Sequence, residues 1–428
     1  MKRFLSALMI GLSLLLPTGG GLADDRRSSP TPSTPAASIA FPRGVYIDHS
    51  VTLQSAKYVG YSLPAAITRR VTSVARSNCN VAWITNLPDD PAVLAQYVRE
   101  FRSRGIEVIA GSGRWYVGSW NYQTAGIADQ QLATIQRLRS ALPADAQPWK
   151  WSLADEPPPE ALPTLKQLAD KCQAAGIPTI GVQVPEYHAA TVDRLGSSIP
   201  ALACDVYPFF VPGLASNPPY GPAALTRAKE HYAATAGRSR SAEIAPLMMV
   251  QGFVEPSLFA MPSPSRIRWQ IWASVAAGNQ GVVTFAHGVP WELPGGEAAS
   301  LVDLRTETHT AQGEAVAAVY GRLKLAEGLI AGAVPESPPA WGATALPGDS
   351  AGILRNAAGR RVLIVASDPD ATGPRTIKVT LPGVSAASPI AGSTGATLQA
   401  VRWPWSLLMP ATLHVSLSPG DAWIGEIR

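Results

Sequence analysis

The sequence contains few cysteines and few charged residues. Its 428 residues include only three cysteines, Cys79, Cys172 and Cys204, and 15% of the residues are charged. Three widely spaced cysteines exclude a disulfide framework and a CxxC metal-binding knuckle, so stability must come from a hydrophobic core. The net charge of only +4 excludes the strongly basic surface that binds nucleic acid or an anionic membrane. We therefore expect neither as a partner.

Motifs of several enzyme classes are also absent. The six histidines form no HxH or HExxH pair, which disfavours a zinc or binuclear metal hydrolase. There is no GxSxG nucleophile elbow and no glycine-rich loop that could hold a phosphate. We therefore predict a protein that uses neither a metal nor an organic cofactor. We also expect the chain to be a monomer.

The N-terminus has the pattern of a secretory signal. Two basic residues precede an apolar stretch at 4–16, and a small-x-small site at 21–23 follows it. We predict that residues 1–23 are a signal peptide, because an apolar stretch of 13 residues is too short to span a bilayer. The mature protein is then secreted or periplasmic and has no membrane attachment. Residues 24–40, rich in Ser, Pro and Thr, are predicted to form a disordered linker.

Short apolar segments alternate with helical patterns from residue 41 to residue 333. The eight candidate strands are 45–47, 81–85, 107–110, 149–154, 179–184, 201–206, 246–251 and 281–286. Their spacing of roughly 34 residues suits a repeated strand–loop–helix–loop unit, and eight such units predict a TIM barrel, an α/β fold. The alternative, a doubly wound open sheet, would have fewer strands and a glycine-rich phosphate turn after the first one.

The pattern changes after the proline-rich segment 335–339. Residues 340–428 contain short candidate strands that are separated by turns, and no helical period is present. We predict that this part of the chain is a small antiparallel β-sandwich. The expected fold is therefore a TIM (β/α)8 barrel at 41–333 followed by a β-sandwich at 340–428.

Two adjacent carboxylates, Asp155 and Glu156, follow the fourth candidate strand and precede three prolines. One interpretation is that they only cap the helix that follows. The other interpretation is catalytic, because the active site of a TIM barrel lies at the C-terminal ends of its strands.

Carboxylates, amides and aromatic residues also follow the other candidate strands. The predicted substrate-binding residues are Asp48, Asn86, Arg114, Trp115, Asp155, Gln183, Tyr207, Gln251, His287 and Trp291. Tyr116, Glu186 and Asp205 are further polar residues at strand ends. Aromatic rings pack against the apolar faces of sugars, and amides and carboxylates bind sugar hydroxyls, so this composition predicts a carbohydrate site. The alternatives are that Trp115 lies in a surface loop and that His287 is buried with its hydrogen bonds satisfied.

Four segments of the sequence together resemble a known family. They are WSLADEP at 151–157, CDVYP at 204–208, MVQGF at 249–253 and the longer stretch at 262–285. In their order and spacing they resemble TIM-barrel glycoside hydrolases of the broad β-galactosidase-like clan that carry a C-terminal β-sandwich. The resemblance covers residues 41–428. It implies an exported enzyme that cleaves glycosidic bonds in an oligo- or polysaccharide.

The same resemblance assigns roles to strand ends. In that clan the general acid/base is a glutamate at the end of strand four, which corresponds to Glu156. The clan's nucleophile is a glutamate at the end of strand seven, which corresponds to Gln251 and cannot act as a carboxylate. The second catalytic carboxylate is then Asp205 or Glu255, with Asp48 as a further ionised candidate, and both a retaining and an inverting mechanism stay open. The alternative is a non-catalytic carbohydrate-binding barrel that has lost its nucleophile.

Overall fold

The structure of the protein, a computed structural model, describes most of the chain from residue 39 to the C-terminus. The described residues are 39–211, 222–289, 299–336, 340–341, 345–381, 384–390, 393, 396–399 and 411–428. The predicted signal peptide at 1–23 lies outside them, as do Trp291 and most of the predicted linker at 24–40. No helix among the described residues is long and apolar enough to cross a membrane.

Eight parallel strands form a closed barrel in which each strand pairs with the next and the last pairs with the first. The strands are β1 Arg43–Asp48, β2 Val81–Thr85, β3 Glu107–Ala110, β4 Lys150–Asp155, β5 Thr179–Gln183, β6 Ala201–Val206, β7 Ala245–Gln251 and β8 Val282–Phe285. Each of them overlaps one of the eight candidate strands. The predicted TIM barrel is therefore confirmed.

Helices connect the barrel strands, and their ends follow local capping rules. The helices are α1 His49–Val59, α2 Leu63–Ala75, α3 Pro91–Arg102, α4 Ile127–Ala141, α5 Leu162–Ala174, α6 Pro185–Leu195, α7 Pro222–Ser241, α8 Pro264–Ala276 and α9 Ala311–Ile330. Ser263 caps α8, its hydroxyl accepting from the Arg266 N–H, and Pro264 occupies the first turn. Asp48 caps α1 in the same way, so this carboxylate belongs both to a strand end and to a helix start.

Alternate side chains of the barrel strands form a separate apolar core inside the lumen. This core includes Tyr46 from β1, Trp83 from β2 and Ala203 from β6. Neighbouring residues of a strand face opposite sides, so Asp48 and Asp205 continue the same inward rows at the C-terminal ends of β1 and β6. The lumen is therefore apolar in its middle and acidic at the end where the strands finish.

Two antiparallel sheets follow the barrel. Their strands are β9 Val334–Pro335, β10 Ala340–Trp341, β11 Ser350–Arg355, β12 Arg361–Ala366, β13 Arg375–Leu381, β14 Ala387–Pro389, β15 Ala396–Gln399, β16 Ala411–Leu417 and β17 Ala422–Ile427. One sheet has the order β10-β13-β16-β15 and the other has the order β14-β17-β12-β11-β9. Leu363, Ile377, Val415 and Trp423 belong to the apolar core that the two sheets share. The predicted β-sandwich is confirmed.

The sandwich packs on helix α8 of the barrel. Ile364 of β12 belongs to the same continuous apolar core as Ile271 of α8. Gly352 of β11 lies so close to the Ala276 backbone that a methyl group at this position would collide with it. The barrel and the sandwich therefore meet through close packing rather than through a solvated gap.

Candidate active site

Glu156 follows β4 in an unusual backbone conformation. Its φ is +46°, a left-handed value that costs a non-glycine residue about 1–3 kcal/mol. The pairing of β4 with β5 shifts register between Ser152 and Asp155, and the Glu156 N–H donates to the Val182 carbonyl at 3.2 Å. Strained backbone of this kind is concentrated at functional sites, so the geometry supports Glu156 as a functional residue.

The side chain of Gln183, at the end of β5, holds the turn that follows Glu156. Its Nε2 donates to the Pro157 carbonyl and to Thr191 Oγ1, each at 2.9 Å, and its Oε1 accepts from the Val184 N–H at 2.9 Å. The side chain is fully buried. The structure thus gives Gln183 a positioning role in place of the predicted contact with substrate, because its amide is already used within the protein.

The carboxyl groups of Glu156 and Asp205 lie within hydrogen-bonding reach of each other across the ends of β4 and β6, and each shifts the pKa of the other. Two ionised carboxylates this close repel each other, which favours a state in which one of the two groups holds a proton. Asp205 Oδ2 accepts from Tyr207 Oη at 3.1 Å. Its Oδ1 is buried and has no hydrogen-bond partner among the described residues.

Burial controls the protonation of this pair. It raises the pKa of Asp205 well above its ordinary value, and the charges of Glu156 and Asp155 add to the rise. Burial also raises the pKa of Glu156; the hydrogen bond from Asp205 opposes the rise and the Glu186 charge adds to it. The pair therefore retains one proton under conditions in which isolated carboxyl groups are ionised.

Asp155 and Asp48 complete a group of four acids, which we call the acid cluster: Asp48, Asp155, Glu156 and Asp205. Burial raises the pKa of Asp155 to about 7, and the charges of Glu156 and Asp48 contribute, whereas a hydrogen bond with Tyr46 opposes the rise. Asp48 accepts from the Ser50 N–H at 2.7 Å and from Asn86 Nδ2 at 3.0 Å. Six predicted site residues, the four acids with Asn86 and Tyr207, thus lie at one end of the barrel.

An aromatic wall lies beside the acid cluster. The ring of Tyr207 packs against Phe253 and Phe285, with centroids 5.3 and 5.8 Å apart, and Tyr46 packs against Phe285 at 4.6 Å. Tyr207 and Phe285 are only partly buried. The site therefore offers an apolar face and a proton-holding acid pair next to each other, an arrangement that can hold a ring with polar substituents and protonate it.

Gln251 at the end of β7 is a correction to the sequence analysis. Its side chain is 0% exposed, its Oε1 accepts from the Phe209 N–H at 3.0 Å, and its Nε2 donates to the Ala260 carbonyl at 2.7 Å. Nε2 also lies 3.1 Å from the Phe209 carbonyl and 3.3 Å from that of Phe253. The amide therefore ties the loop after β6 to the loop after β7 and is not available to a substrate, contrary to the predicted binding role.

Trp115 and His287 also lie in the interior rather than in the site. Trp115 is fully buried, packs on Trp151 and donates from Nε1 to the Ser152 carbonyl at 3.1 Å. His287 is fully buried, with Nδ1 3.3 Å from Arg70 Nη1 and Nε2 3.4 Å from Ser73 Oγ. Burial and the Arg70 charge lower the pKa of His287 well below its ordinary value. Both residues are structural, because every polar atom of each ring has a partner inside the protein.

Arg114 and Glu255 lie outside the acid cluster. Arg114 is exposed in the loop after β3, where its backbone N–H donates to Ser112 Oγ at 3.2 Å. The Glu255 carboxylate accepts from the N–H and the hydroxyl of Ser257 in its own turn. None of the interactions described for the acid cluster involves Glu255, which disfavours it as the second catalytic carboxylate.

Tyr46 is a site residue that the sequence analysis missed. It hydrogen-bonds with Asp155 and lies two residues before Asp48, so strand alternation places both on the lumen face. That spacing was the available signal. Tyr116 reaches the same region, since the Asp155 charge raises its pKa further after burial, and a methyl group at Gly111 would collide with its hydroxyl.

Among the described residues, no group of three or more His, Cys, Asp or Glu side chains has an arrangement that could hold a metal ion. The described cysteines Cys79, Cys172 and Cys204 are buried and free.

Solved structures that resemble this chain include glycoside hydrolases. A protein described as a glycoside hydrolase superposes with a TM-score of 0.56 over 90% of this chain and 92% of its own, at 11% identity. A β-galactosidase from the psychrophilic Marinomonas ef1 has a TM-score of 0.49 at 12% identity, over 67% of this chain and 60% of that enzyme. A GH5 enzyme from Streptomyces cattleya, solved with GlcNAc, has a TM-score of 0.49 at 15% identity, over 66% and 80%. The predicted likeness in fold to TIM-barrel glycoside hydrolases is thus confirmed.

No protein-family model matches the sequence, and no curated protein matches it. At 11% identity, the first of these likenesses establishes the fold alone. The chemistry must be argued from the residues of the site.

Proposed function

We propose that this protein is a glycosidase that cleaves an oligo- or polysaccharide and that Glu156 is its general acid. The observation that carries the proposal is the close pair of partly buried Glu156 and buried Asp205 at the C-terminal end of the barrel, each of which shifts the pKa of the other. A glycosidase needs a carboxylic acid that keeps its proton near neutral pH in order to protonate the leaving oxygen. A carboxyl pair that is buried among further acids meets this requirement.

Glu156 is the better proton donor of the pair because it is partly exposed, whereas Asp205 is only 6% exposed. In the proposed reaction, the proton that the pair retains passes from Asp205 to Glu156 and from Glu156 to the glycosidic oxygen. The bond from that oxygen to the anomeric carbon breaks, and its electron pair stays on the oxygen. The oxygen of a water molecule then bonds to the anomeric carbon, and the proton that this water loses returns to the carboxyl pair. Asp205, which is itself held by Tyr207, acts as the positioning residue that keeps the proton on the pair until substrate arrives.

Asp205 does not have the position of an opposing catalytic carboxylate. The two carboxyl groups of a retaining glycosidase are about 5–5.5 Å apart, and those of an inverting enzyme are about 6.5–9.5 Å apart. A hydrogen-bonded pair is closer than either spacing. We assign the standing negative charge that stabilises the cationic transition state to Asp48, since the Ser50 N–H and the Asn86 amide both stabilise its ionised form.

A non-catalytic carbohydrate-binding barrel is the second candidate. It is favoured by the end of β7, where the structure has the backbone-bound amide of Gln251 and no carboxylate. Such a protein would bind oligosaccharides beside the aromatic wall without cleaving them.

The test is a screen of the purified protein against aryl glycosides and plant and bacterial polysaccharides, followed by the Glu156→Gln variant. We expect Glu156→Gln to lower turnover of natural glycosides by about 10²–10⁴-fold, the usual loss when acid catalysis is removed. Aryl glycosides with activated leaving groups should lose less because they need less protonation. Glu160→Gln is the matched control, since Glu160 is an exposed acid in the same segment.

Two outcomes would contradict the assignment. Equal loss on natural and activated substrates would argue against proton donation by Glu156. Tight binding of an oligosaccharide without any hydrolysis by the wild-type protein would favour the binding barrel.

We infer further that the protein is exported and that its mature form begins at Asp24. The support is the sequence pattern at residues 1–23. N-terminal sequencing of protein recovered from the culture medium or the periplasm should begin at Asp24. Recovery of the uncleaved chain from the cytoplasm alone would contradict this inference.

A further inference from the structure

The charge at the C-terminal end of the barrel differs from that of the whole chain. The groups that shift the pKa values of Asp155, Glu156 and Asp205 are other acids and tyrosines: Asp48, Glu186, Tyr46 and Tyr207 besides the three acids themselves. No Lys or Arg is among them. Glu186, at the start of α6, is exposed and adds a fifth carboxylate to the acid cluster. Five carboxyl groups thus come together at one end of the barrel in a chain whose net charge is +4.

The segments of the sequence that follow the barrel strands have the same bias. The segments after the barrel strands, at 86–90, 111–126, 156–161, 207–221, 252–263 and 286–310, contain nine acidic and two basic residues. Two of those acids are paired elsewhere, Asp89 with Arg137 and Glu307 with Arg70. Acidic residues still outnumber basic ones after these two are set aside. The segments therefore provide little positive charge to balance the carboxyl groups of the acid cluster.

One buried oxygen atom in the acid cluster lacks a hydrogen-bond donor. Asp205 is 6% exposed, and its Oδ1 has no fixed N–H or O–H partner among the described residues. Once the pair with Glu156 gives up its proton, this oxygen is left buried without a donor, which is costly. An ammonium group has three donors and a positive charge, and it would satisfy Asp205 Oδ1 while it neutralises the neighbouring carboxylates.

We propose that the substrate is a cationic amino sugar, an oligo- or polymer of hexosamine whose amino groups are free and protonated. The acid cluster and Glu186 would hold the ammonium group, and the aromatic wall would hold the apolar face of the sugar ring. N-acetylation removes the charge, and uronate or sulfate reverses it, so both kinds of sugar should bind more weakly. This inference rests on the proposed function and specifies its substrate class.

The experiment measures binding rather than turnover, by isothermal titration of the full-length mature protein. The probes are tetramers of β-1,4-glucosamine, β-1,6-glucosamine and α-1,4-galactosamine, each paired with its fully N-acetylated form, with cellotetraose as a neutral reference. In at least one pair the free-amine member should bind tenfold or more tightly than its N-acetylated partner. Its affinity should fall as salt rises from 50 to 500 mM, because salt screens the attraction.

Glu186→Gln provides the matched variant because Glu186 is exposed and has no proposed catalytic role. It should weaken binding of the preferred free-amine tetramer by about threefold to tenfold, the usual range for one partly solvated charge interaction. Binding of the N-acetylated partner should not change. Glu160→Gln should leave both affinities unchanged.

The inference is overturned if every N-acetylated or neutral tetramer binds as tightly as its free-amine partner, or if no free-amine tetramer binds at all. Its failure can be distinguished from failure of the proposed function. Hydrolysis of neutral glycans without amine preference would contradict the amino-sugar specificity but support the glycosidase function. Selective binding of free-amine tetramers without hydrolysis would support the amino-sugar specificity but contradict the glycosidase function.

Discussion

Strands β4 and β6 lead into carboxylic acids, whereas β5 and β7 end in glutamines, and the two kinds of strand end behave differently. Glu156 and Asp205 lie within hydrogen-bonding reach of each other, and burial raises the pKa of both. Gln183 and Gln251 are fully buried, and both atoms of each amide are bonded within the protein, mostly to backbone groups. Polar residues at the C-terminal ends of barrel strands therefore do not all belong to the site.

The chemistry of the two side chains explains the difference. An amide has both donors and an acceptor, so a buried glutamine can satisfy the N–H and C=O groups of loops that would otherwise lack partners. A carboxylate has only acceptors, so two buried carboxyl groups satisfy each other only by retaining a proton. The glutamines thereby build the loops that carry Glu156 and Tyr207, and the acids supply a group that can donate.

The largest effect that this comparison predicts is the loss of stability in Gln251→Glu. The substitution would place a carboxylate oxygen against the carbonyls of Phe209 and Ala260, where Nε2 now donates. We expect the free energy of unfolding to fall by about 3 kcal/mol or more, the cost of a buried charged group without a donor. Urea denaturation followed by circular dichroism at pH 7 measures it.

Gln130→Glu is the control for that substitution, because Gln130 is exposed on α4 and should tolerate the charge. If Gln251→Glu unfolded at the same urea concentration as the wild type, the amide would not be what holds the two loops. The contrast between glutamine and acid strand ends would then be lost.

A smaller effect is expected for the pH dependence of stability. The folded protein keeps the proton of Asp155 up to a pKa of about 7, whereas the unfolded chain releases it near the ordinary 3.8. The folded state binds more protons between these values, so Asp155 should make the free energy of unfolding decrease as pH rises from about 4 to about 7. Asp155→Asn should lack this part of the slope. Between pH 4 and pH 8, the free energy of unfolding should therefore decrease less in Asp155→Asn than in the wild type.

Urea denaturation of both proteins at pH 4, 5.5, 7 and 8 measures the difference between their slopes. Subtraction of the two curves removes the contribution of the other titrating groups. A difference that is flat across this range, or that increases in favour of the wild type, would show that Asp155 ionises normally in the folded protein. The acid cluster would then be solvated rather than buried.

The smallest effect is expected for Glu255→Gln. The carboxylate of Glu255 caps its own turn at Ser257 and takes no part in the interactions described for the acid cluster. Turnover on the best substrate should stay within about twofold of the wild type, since less than about 0.5 kcal/mol separates surface variants of this kind. A loss as large as that of Glu156→Gln would place the second catalytic carboxylate after β7 and contradict the site described above.

Local sequence patterns predicted a large part of the fold. The 2-residue alternation of strands and the longer period of helices each depend on neighbouring residues, so eight βα units and the following sandwich could be recognised without tertiary information. The ends of the strands could be located for the same reason. Glu156, Asp155, Asp48, Asn86, Asp205 and Tyr207 were placed at or beside strand ends in this way.

The partners of each polar side chain could not be predicted, because they lie far away in the chain. Gln251 bonds to Phe209, 42 residues earlier, and His287 contacts Arg70, 217 residues earlier. Sequence patterns place each residue at a strand end but say nothing of what already occupies its hydrogen bonds. Sequence patterns therefore could not distinguish site residues from four residues whose polar groups the structure shows to be bonded inside the protein: Gln183, Gln251, Trp115 and His287.

The sequence by itself determined that eight strands would bring their C-terminal ends together and that Glu156 would be among the residues there. Only the tertiary structure decided that Asp205 lies beside Glu156 and that Gln251 binds backbone groups. The physical reason is that burial and pairing depend on which residues are close in space, and these residues are often distant in the sequence. A carboxyl group becomes an acid that works near neutral pH only when the fold removes its water and places another carboxyl group beside it.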